Sequence, residues 1–293
     1  MFDLNQLSPF VRVAWDDTIY PPTRIEERVI FDYELLYVKD GEIKVVIEGA
    51  EYHGLPGDIF FFKPKQRHSI ELLNNKPLHQ PHLHFDFIYQ RDSPEVEVSF
   101  KPLEKMNEQE LKLFREDITA SLEIQLPSHL RLLKPKIIEN LFYDIFYEFD
   151  MKFPYFEAAV KGSFINLWVQ LSRESLWATR PHLINSREQI ERVKAFLSHN
   201  ANRNVSLDEL ADVANLNKYY MSRLFKEYFG VSPVYYHLTN RLDKAKEMIR
   251  FTNQSISKIA SQFGFSSIYS FSRAFYKYEG VSPQKYRAEN KRV

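Results

Sequence analysis

The chain has 293 residues, 44% of them apolar and 15% aromatic, and no cysteine. This composition excludes disorder over most of the chain and suits about two domains; the missing thiol excludes disulfides, thiolate metal sites and a cysteine nucleophile, and fits a reducing cytoplasm. The formal net charge is zero, yet 18 Lys and Arg face 10 Asp and Glu from Arg187 onward, and residues 1–186 carry the matching acidic surplus, so a polyanionic partner is expected for the C-terminal half alone.

The N-terminus, MFDLNQLSPFVRVAWDD, has no basic start followed by an apolar run, so no signal peptide is expected. No stretch approaches the roughly 18 consecutive apolar residues of a membrane helix. A soluble, cytoplasmic protein without a membrane partner is the expectation. From Arg28 to Tyr89 apolar and polar residues alternate in short runs, VIFDYELLYVKDGEIKVVIEG, EYHGLPGDIFFFKPKQRHSIEL and HLHFDFIY. Asp40-Gly41, Gly49, Pro56-Gly57-Asp58 and Pro64 punctuate them as turns. Six to eight strands at this spacing predict a small barrel or jelly roll within residues 1–102. A polar small ligand wants hydrogen-bonding groups beside an aromatic surface. His68, His84 and Asp86 offer the first, and Trp15, Tyr33 and Tyr37 the second. Arg12 and Trp15 precede the strands and are placed as an arm across the barrel mouth. His82, His84 and Asp86 share one strand face, with His79 nearby, and imidazole is the commonest metal ligand. A lone strand histidine is more often simply hydrogen-bonded, and no metal or other cofactor is expected.

Residues 103–177 turn helical, in LKLFREDITASL, IIENLFYDIFYEF and FINLWVQLSRESLW. Ile137, Leu141, Ile145 and Phe149 form the expected apolar stripe. Residues 178–187, ATRPHLINSR, read as a linker to a C-terminal domain at 188–293.

That domain spells one unit twice. LADVANLNKYYMSRLFKEYFGVSPVYY from Leu210 aligns with IASQFGFSSIYSFSRAFYKYEGVSPQKY from Ile259. Each copy has two short helices about a tight turn, at Asn215-Leu216-Asn217 in the first and at Gly264 in the second. Ser206, Ser255 and Ser266 or Ser267 are expected caps. The repeated GVSP is a helix stop followed by a helix start: Gly230 and Gly280 stop, Ser232 and Ser282 cap, Pro233 and Pro283 begin. PVYYHLTNRLDKAKEMIRF, 233–251, is then one linking helix about 28 Å long, close to one turn of DNA. Helix, turn, helix predicts a second helix that enters the major groove. The expected DNA-contacting residues are Asn217, Lys218, Tyr219, Ser222, Arg223 and Lys226 in the first unit. In the second they are Ser266, Ser267, Tyr269, Ser270, Arg273 and Lys277. The arginines and Asn217 suit base edges, and Lys226 and Lys277 suit phosphate.

NRLDKAKEMI followed by ISKIASQFGFSSIYSFSRAFYKYEGVSPQKYR resembles the C-terminal DNA-binding domain of AraC/XylS-family transcription regulators. Tyr33-Glu34-Leu35-Leu36-Tyr37, Gly41, Pro56-Gly57-Asp58, Pro64, His68 and the His-Phe-Asp-Phe at 84–87 resemble the cupin-type sensor domain of such regulators. The resemblance implies a multidomain α and β fold: an N-terminal cupin-like barrel with helices, then an all-α domain with two helix-turn-helix units. It implies double-stranded DNA and a small-molecule effector, a sugar, as partners, and dimerisation through residues 103–177. RNA polymerase is a further partner if the protein activates. It also argues against a metal, since the place where cupins supply His-x-His reads Phe31-Asp32-Tyr33-Glu34. Two alternatives stay open, a metal-dependent cupin enzyme with a DNA-binding tail and a constitutive DNA-binding dimer without ligand. An alkyl-transfer repair protein, which some relatives resemble, is excluded by the absent cysteine.

Overall fold

The structure, a computed structural model, describes residues 6–121 and 126–290. The chain divides into two compact units, Met1–Thr179 and Arg180–Val293. No helix among the described residues is long and apolar enough to cross a membrane.

The first unit holds nine strands: β1 Phe10–Ile19, β2 Arg24–Arg28, β3 Tyr33–Tyr37, β4 Ile43–Ile47, β5 Ala50–Gly54, β6 Asp58–Phe62, β7 His68–Leu72, β8 Leu78–Asp86 and β9 His129–Arg131. They form two antiparallel sheets, ordered β1-β8-β3-β6-β9 and β2-β7-β4-β5. Period-two alternation sorts β3 between two cores. Leu36 faces the barrel interior with Val45, Phe60, Phe62 and Ile70. Tyr33, Leu35 and Tyr37 face outward against two long helices, α2 Pro135–Met151 and α3 Phe156–Thr179.

Four expectations change here. Arg12 and Trp15 are not an arm, because they belong to the ten-residue β1, which pairs along β8 from Phe10↔Asp86 to Ile19↔Leu78. Residues 112–121 of LKLFREDITASL are not an α-helix: the short α1, Glu108–Leu111, ends at Leu111, and only a 3-10 turn forms at Thr119–Ser121. Leu122 lies outside the described residues. The segment runs instead along the barrel end, where the backbone N–H of Arg115 donates to the carbonyl of Phe31 and its side chain to Asp86. On α2, Ile145 of the expected stripe is buried and Leu141 and Phe149 pack part-buried on the same core, but Ile137 is exposed and Ile138 and Phe142 are buried instead. Apolar residues come in adjacent pairs there, so sequence spacing allows either stripe and packing against the sheet selects one. Finally, residues 181–185 of the expected linker form a helical turn, α4 Pro181–Asn185.

The second unit continues with α5 Arg187–His199, α6 Leu207–Ala214, α7 Lys218–Phe229, α8 Pro233–Phe251, α9 Ile256–Gln262, α10 Ile268–Glu279 and α11 Pro283–Asn290. Its caps follow the sequence closely. Ser206 and Glu209 form a capping box on α6, Asn217 caps α7, and Ser255 accepts from the N–H of Lys258. Gly230 and Gly280 end α7 and α10 in the left-handed region, and Ser232 caps α8 with Pro233 as its first residue.

Candidate nucleic-acid interface and sensor site

The helices α7 and α10 are each 12 residues long and offset by 50 positions. Each buries one face: Met221, Leu224 and Phe225 in α7, Phe271 and Phe275 in α10. The opposite faces present the same pair four residues apart, Tyr219 and Arg223 in one, Tyr269 and Arg273 in the other, all exposed. Lys226 and Lys277 are exposed beside them. An exposed aromatic, a guanidinium and an ammonium on one helix face suit base edges flanked by phosphate.

The other expected contacts are partly committed within the protein. The Asn217 carboxamide accepts from the N–H of Tyr219. Ser267 and Ser270 form a reciprocal box, each side chain accepting from the other's backbone N–H. The Ser266 hydroxyl lies 3.4 Å from that of Ser270. Lys218 is paired with Asp208 at 2.9 Å. The Ser222 hydroxyl is buried with no partner among the described residues. These six lie at the starts and edges of α7 and α10, which leaves Tyr219, Arg223, Lys226, Tyr269, Arg273 and Lys277 as the expected contacts that are exposed within the helices themselves.

The two helix-turn-helix units are tied at a seam that sequence spacing does not reveal. Arg241, on α8, is buried and donates from Nε to the carbonyl of Phe263 at 2.7 Å and from a terminal nitrogen to Asn204 Oδ1 at 2.8 Å. Its guanidinium lies 4.2 Å from the Phe265 ring centre. His237, one turn earlier, donates from Nε2 to the carbonyl of Arg203 at 2.9 Å, and burial pushes its pKa down. Gly264 closes the seam with φ +68°; a Cβ there would sit 2.8 Å from the Arg203 Cα. The loop that leads into the first unit is thus pressed against the turn of the second.

In the sensor unit the seven expected ligand residues separate. Tyr33 and Tyr37 are corrections, because both lie in the outer core under the helices and not in the barrel. The Tyr33 hydroxyl accepts from the N–H of Ile118 at 2.9 Å, and Tyr37 packs on Phe142. The side chains of Arg12, Asp86, His68 and His84 gather buried at one barrel end, with the exposed Trp15 beside them. Arg12 donates to Asp32 at 2.9 Å and to Asp86 at 2.8 Å, and Arg115 donates to Asp86 at 3.1 Å. Arg28 joins this end, donating to Glu34 at 3.2 Å and to His68 at 3.0 Å. Burial holds His68 down near 4 and so neutral. It pushes Glu34 up, but His84, then Arg28, pull harder and keep that carboxyl at about 2. Trp15 packs edge-on to His82 and stacks on Phe100, which also lies under the Arg28 guanidinium.

Beside Phe100 opens a cleft of about 630 Å³, walled by Phe31, Val96 and Phe100 and carrying Glu95, Glu97, Ser99, Lys101 and Glu110. Its size suits a small molecule. None of the seven expected ligand residues lines it. Apart from Phe31 its walls come from residues 92–113, which lack strand periodicity.

Comparison with known proteins adds the following. Residues 210–289 match the family described as "Helix-turn-helix domain", and residues 16–123 match "AraC-like ligand binding domain". The transposon Tn10 TetD protein of Escherichia coli is 37% identical over 98 residues, covering 33% of this chain and 71% of that protein. The HTH-type transcriptional regulator GbdR of Pseudomonas aeruginosa is 29% identical over 131 residues, covering 44% of this chain and 36% of that protein, so the chain spans about a third of its length. The C-terminal domain of AraT, a response regulator from Geobacillus stearothermophilus, is 28% identical over 36% of this chain and 88% of that one, with a TM-score of 0.35.

Proposed function

This chain belongs to the AraC family of transcription regulators, and on that premise we propose that it is a ligand-responsive, sequence-specific DNA-binding regulator of carbohydrate uptake or metabolism genes. The observation that carries the reading is the repeated Tyr-Arg face on two capped, equally long helices within one buried frame. The arginines read bases, the lysines hold phosphate, and α8, about 28 Å long, spaces the helices for successive major grooves. Such a reader covers on the order of 17–20 base pairs.

The effector is a sugar or sugar derivative held in the cleft beside Phe100. Carboxylates, a hydroxyl and an amino group over an aromatic wall suit a polyol. Ligand acts by binding one arrangement of the regulator better than another. The chain pairs with a second copy through the sensor unit, where Tyr147, Met151, Phe153 and Tyr155 stand exposed. RNA polymerase is a partner if the outcome is activation. No catalytic step is assigned to the barrel.

The test is selection of genomic DNA fragments by the purified chain, with and without a panel of sugars. A motif of about 17–20 base pairs, enriched in a sugar-dependent way, is the expected result. Enrichment unchanged by every sugar, together with no sugar raising the melting temperature, favours a constitutive DNA-binding dimer. No enrichment at all overturns the regulator reading.

A further inference from the structure

The polar barrel end holds a group that the effector reading does not use. Glu34 on β3 stands directly opposite His84 on β8 in the strand register, and His82 lies one pleat further along β8 on the same face. One ligand atom from each of Glu34, His82 and His84 lies within 4.8 Å of the other two, and all three residues are buried. The imidazoles are oriented from behind. Nδ1 of His84 donates to Asp32 at 3.0 Å, and Nδ1 of His82 donates to the carbonyl of Gln80 at 3.0 Å. When the rings are neutral each Nε2 therefore carries the lone pair, and that of His84 is buried without a hydrogen-bond partner among the described residues. Arg28 braces Glu34 from one side.

We propose that Glu34, His82 and His84 bind one divalent first-row transition-metal ion. Two imidazoles and one carboxylate with outer hydrogen bonds that fix the Nε2 lone pairs form a donor set such ions accept. Bonds of about 2.0–2.2 Å bring ligand atoms within about 4 Å of one another, so small side-chain rotations close the set. Asp32 is a positioning residue that acts through His84. The rings of Trp15 and Phe100 lie edge-on to the imidazoles.

The experiment uses the full chain, stripped with a chelator and titrated with Co²⁺ and with Zn²⁺. We expect one ion per chain by elemental analysis, a cobalt absorption spectrum of nitrogen and oxygen ligation, and a higher melting temperature with either ion. Glu34→Gln and His84→Ala should each abolish the stoichiometric binding, and Asp32→Asn should weaken it about 10–100-fold. Circular dichroism and the genomic selection on the same variants report folding and the regulator reading separately, and His82→Gln replaces any variant that fails to fold. No retained ion and no thermal shift in the wild type overturn the site. Undiminished binding by the ligand variants also overturns it, placing the ion elsewhere.

Discussion

The two helix-turn-helix units share their letters at an offset of 50, yet their turns are held by different forces. In the first, Asn215 takes the left-handed conformation at φ +53° on an exposed corner. In the second, Gly264 takes it at φ +68° with backbone of Arg203 and Asn204 against the place where a Cβ would stand. The first turn asks only for a residue that tolerates positive φ; the second asks for no side chain at all. Likeness of sequence therefore implies likeness of local path, but the cost of a substitution depends on what the rest of the domain presses against that path.

Exchanging the turn residues is the strongest way to break this comparison. Gly264→Asn should destabilise the chain by about 1–3 kcal/mol in denaturant unfolding through overpacking alone, because Asn tolerates positive φ. Gly264→Val should add about 1–2 kcal/mol of left-handed strain. Asn215→Gly, by contrast, should stay within about 1 kcal/mol of wild type. Equal losses at the two turns would mean that the contact with Arg203 does not form.

Arg241→Met tests the seam itself. It removes charged hydrogen bonds to Phe263 and Asn204 while filling much of the same volume, at a cost of about 1–3 kcal/mol. Calorimetry should show the DNA-binding unit unfolding less cooperatively; one sharp transition at the wild-type temperature would deny the seam its role.

The reading faces should behave alike where the turns do not. Arg223→Ala and Arg273→Ala should each cost about 1–3 kcal/mol at the correct site and relax the preference at one base position, in opposite halves of the motif. Lys277→Ala should weaken all sequences evenly. If an arginine variant also loses affinity uniformly, that arginine holds phosphate.

The smallest effect concerns pH. Burial depresses the His237 pKa, so the unfolded chain takes up a proton at higher pH than the folded one does. Stability from this group is present above the ordinary histidine range and is lost as pH falls through it. His237→Gln should flatten that slope in melting temperatures measured across mildly acid pH; an unchanged slope would assign it to other groups.

The sensor unit was less legible than the reader. Turn residues and alternation predicted a barrel, but two expectations failed for one reason and the cleft went unread for another. Tyr33 and Tyr37 alternate with Glu34 and Leu36 on β3, and all are buried, so the pattern gives two faces without saying which is inside. The paired apolar residues of α2 leave the same choice open. The cleft beside Phe100 is built by irregular chain, which has no period to read.

What the sequence determined by itself is whatever short-range chemistry decides: caps at Ser206, Ser232, Ser255 and Ser267, stops at Gly230 and Gly280, and the extent of α8. Those depend on bonds between residues a few positions apart. Only the tertiary structure decided the partners across long loops: Glu34 opposite His84, Arg241 on Phe263, Gly264 against Arg203. Strand register and helix docking are fixed by packing summed over whole faces, and no single stretch of sequence contains that sum.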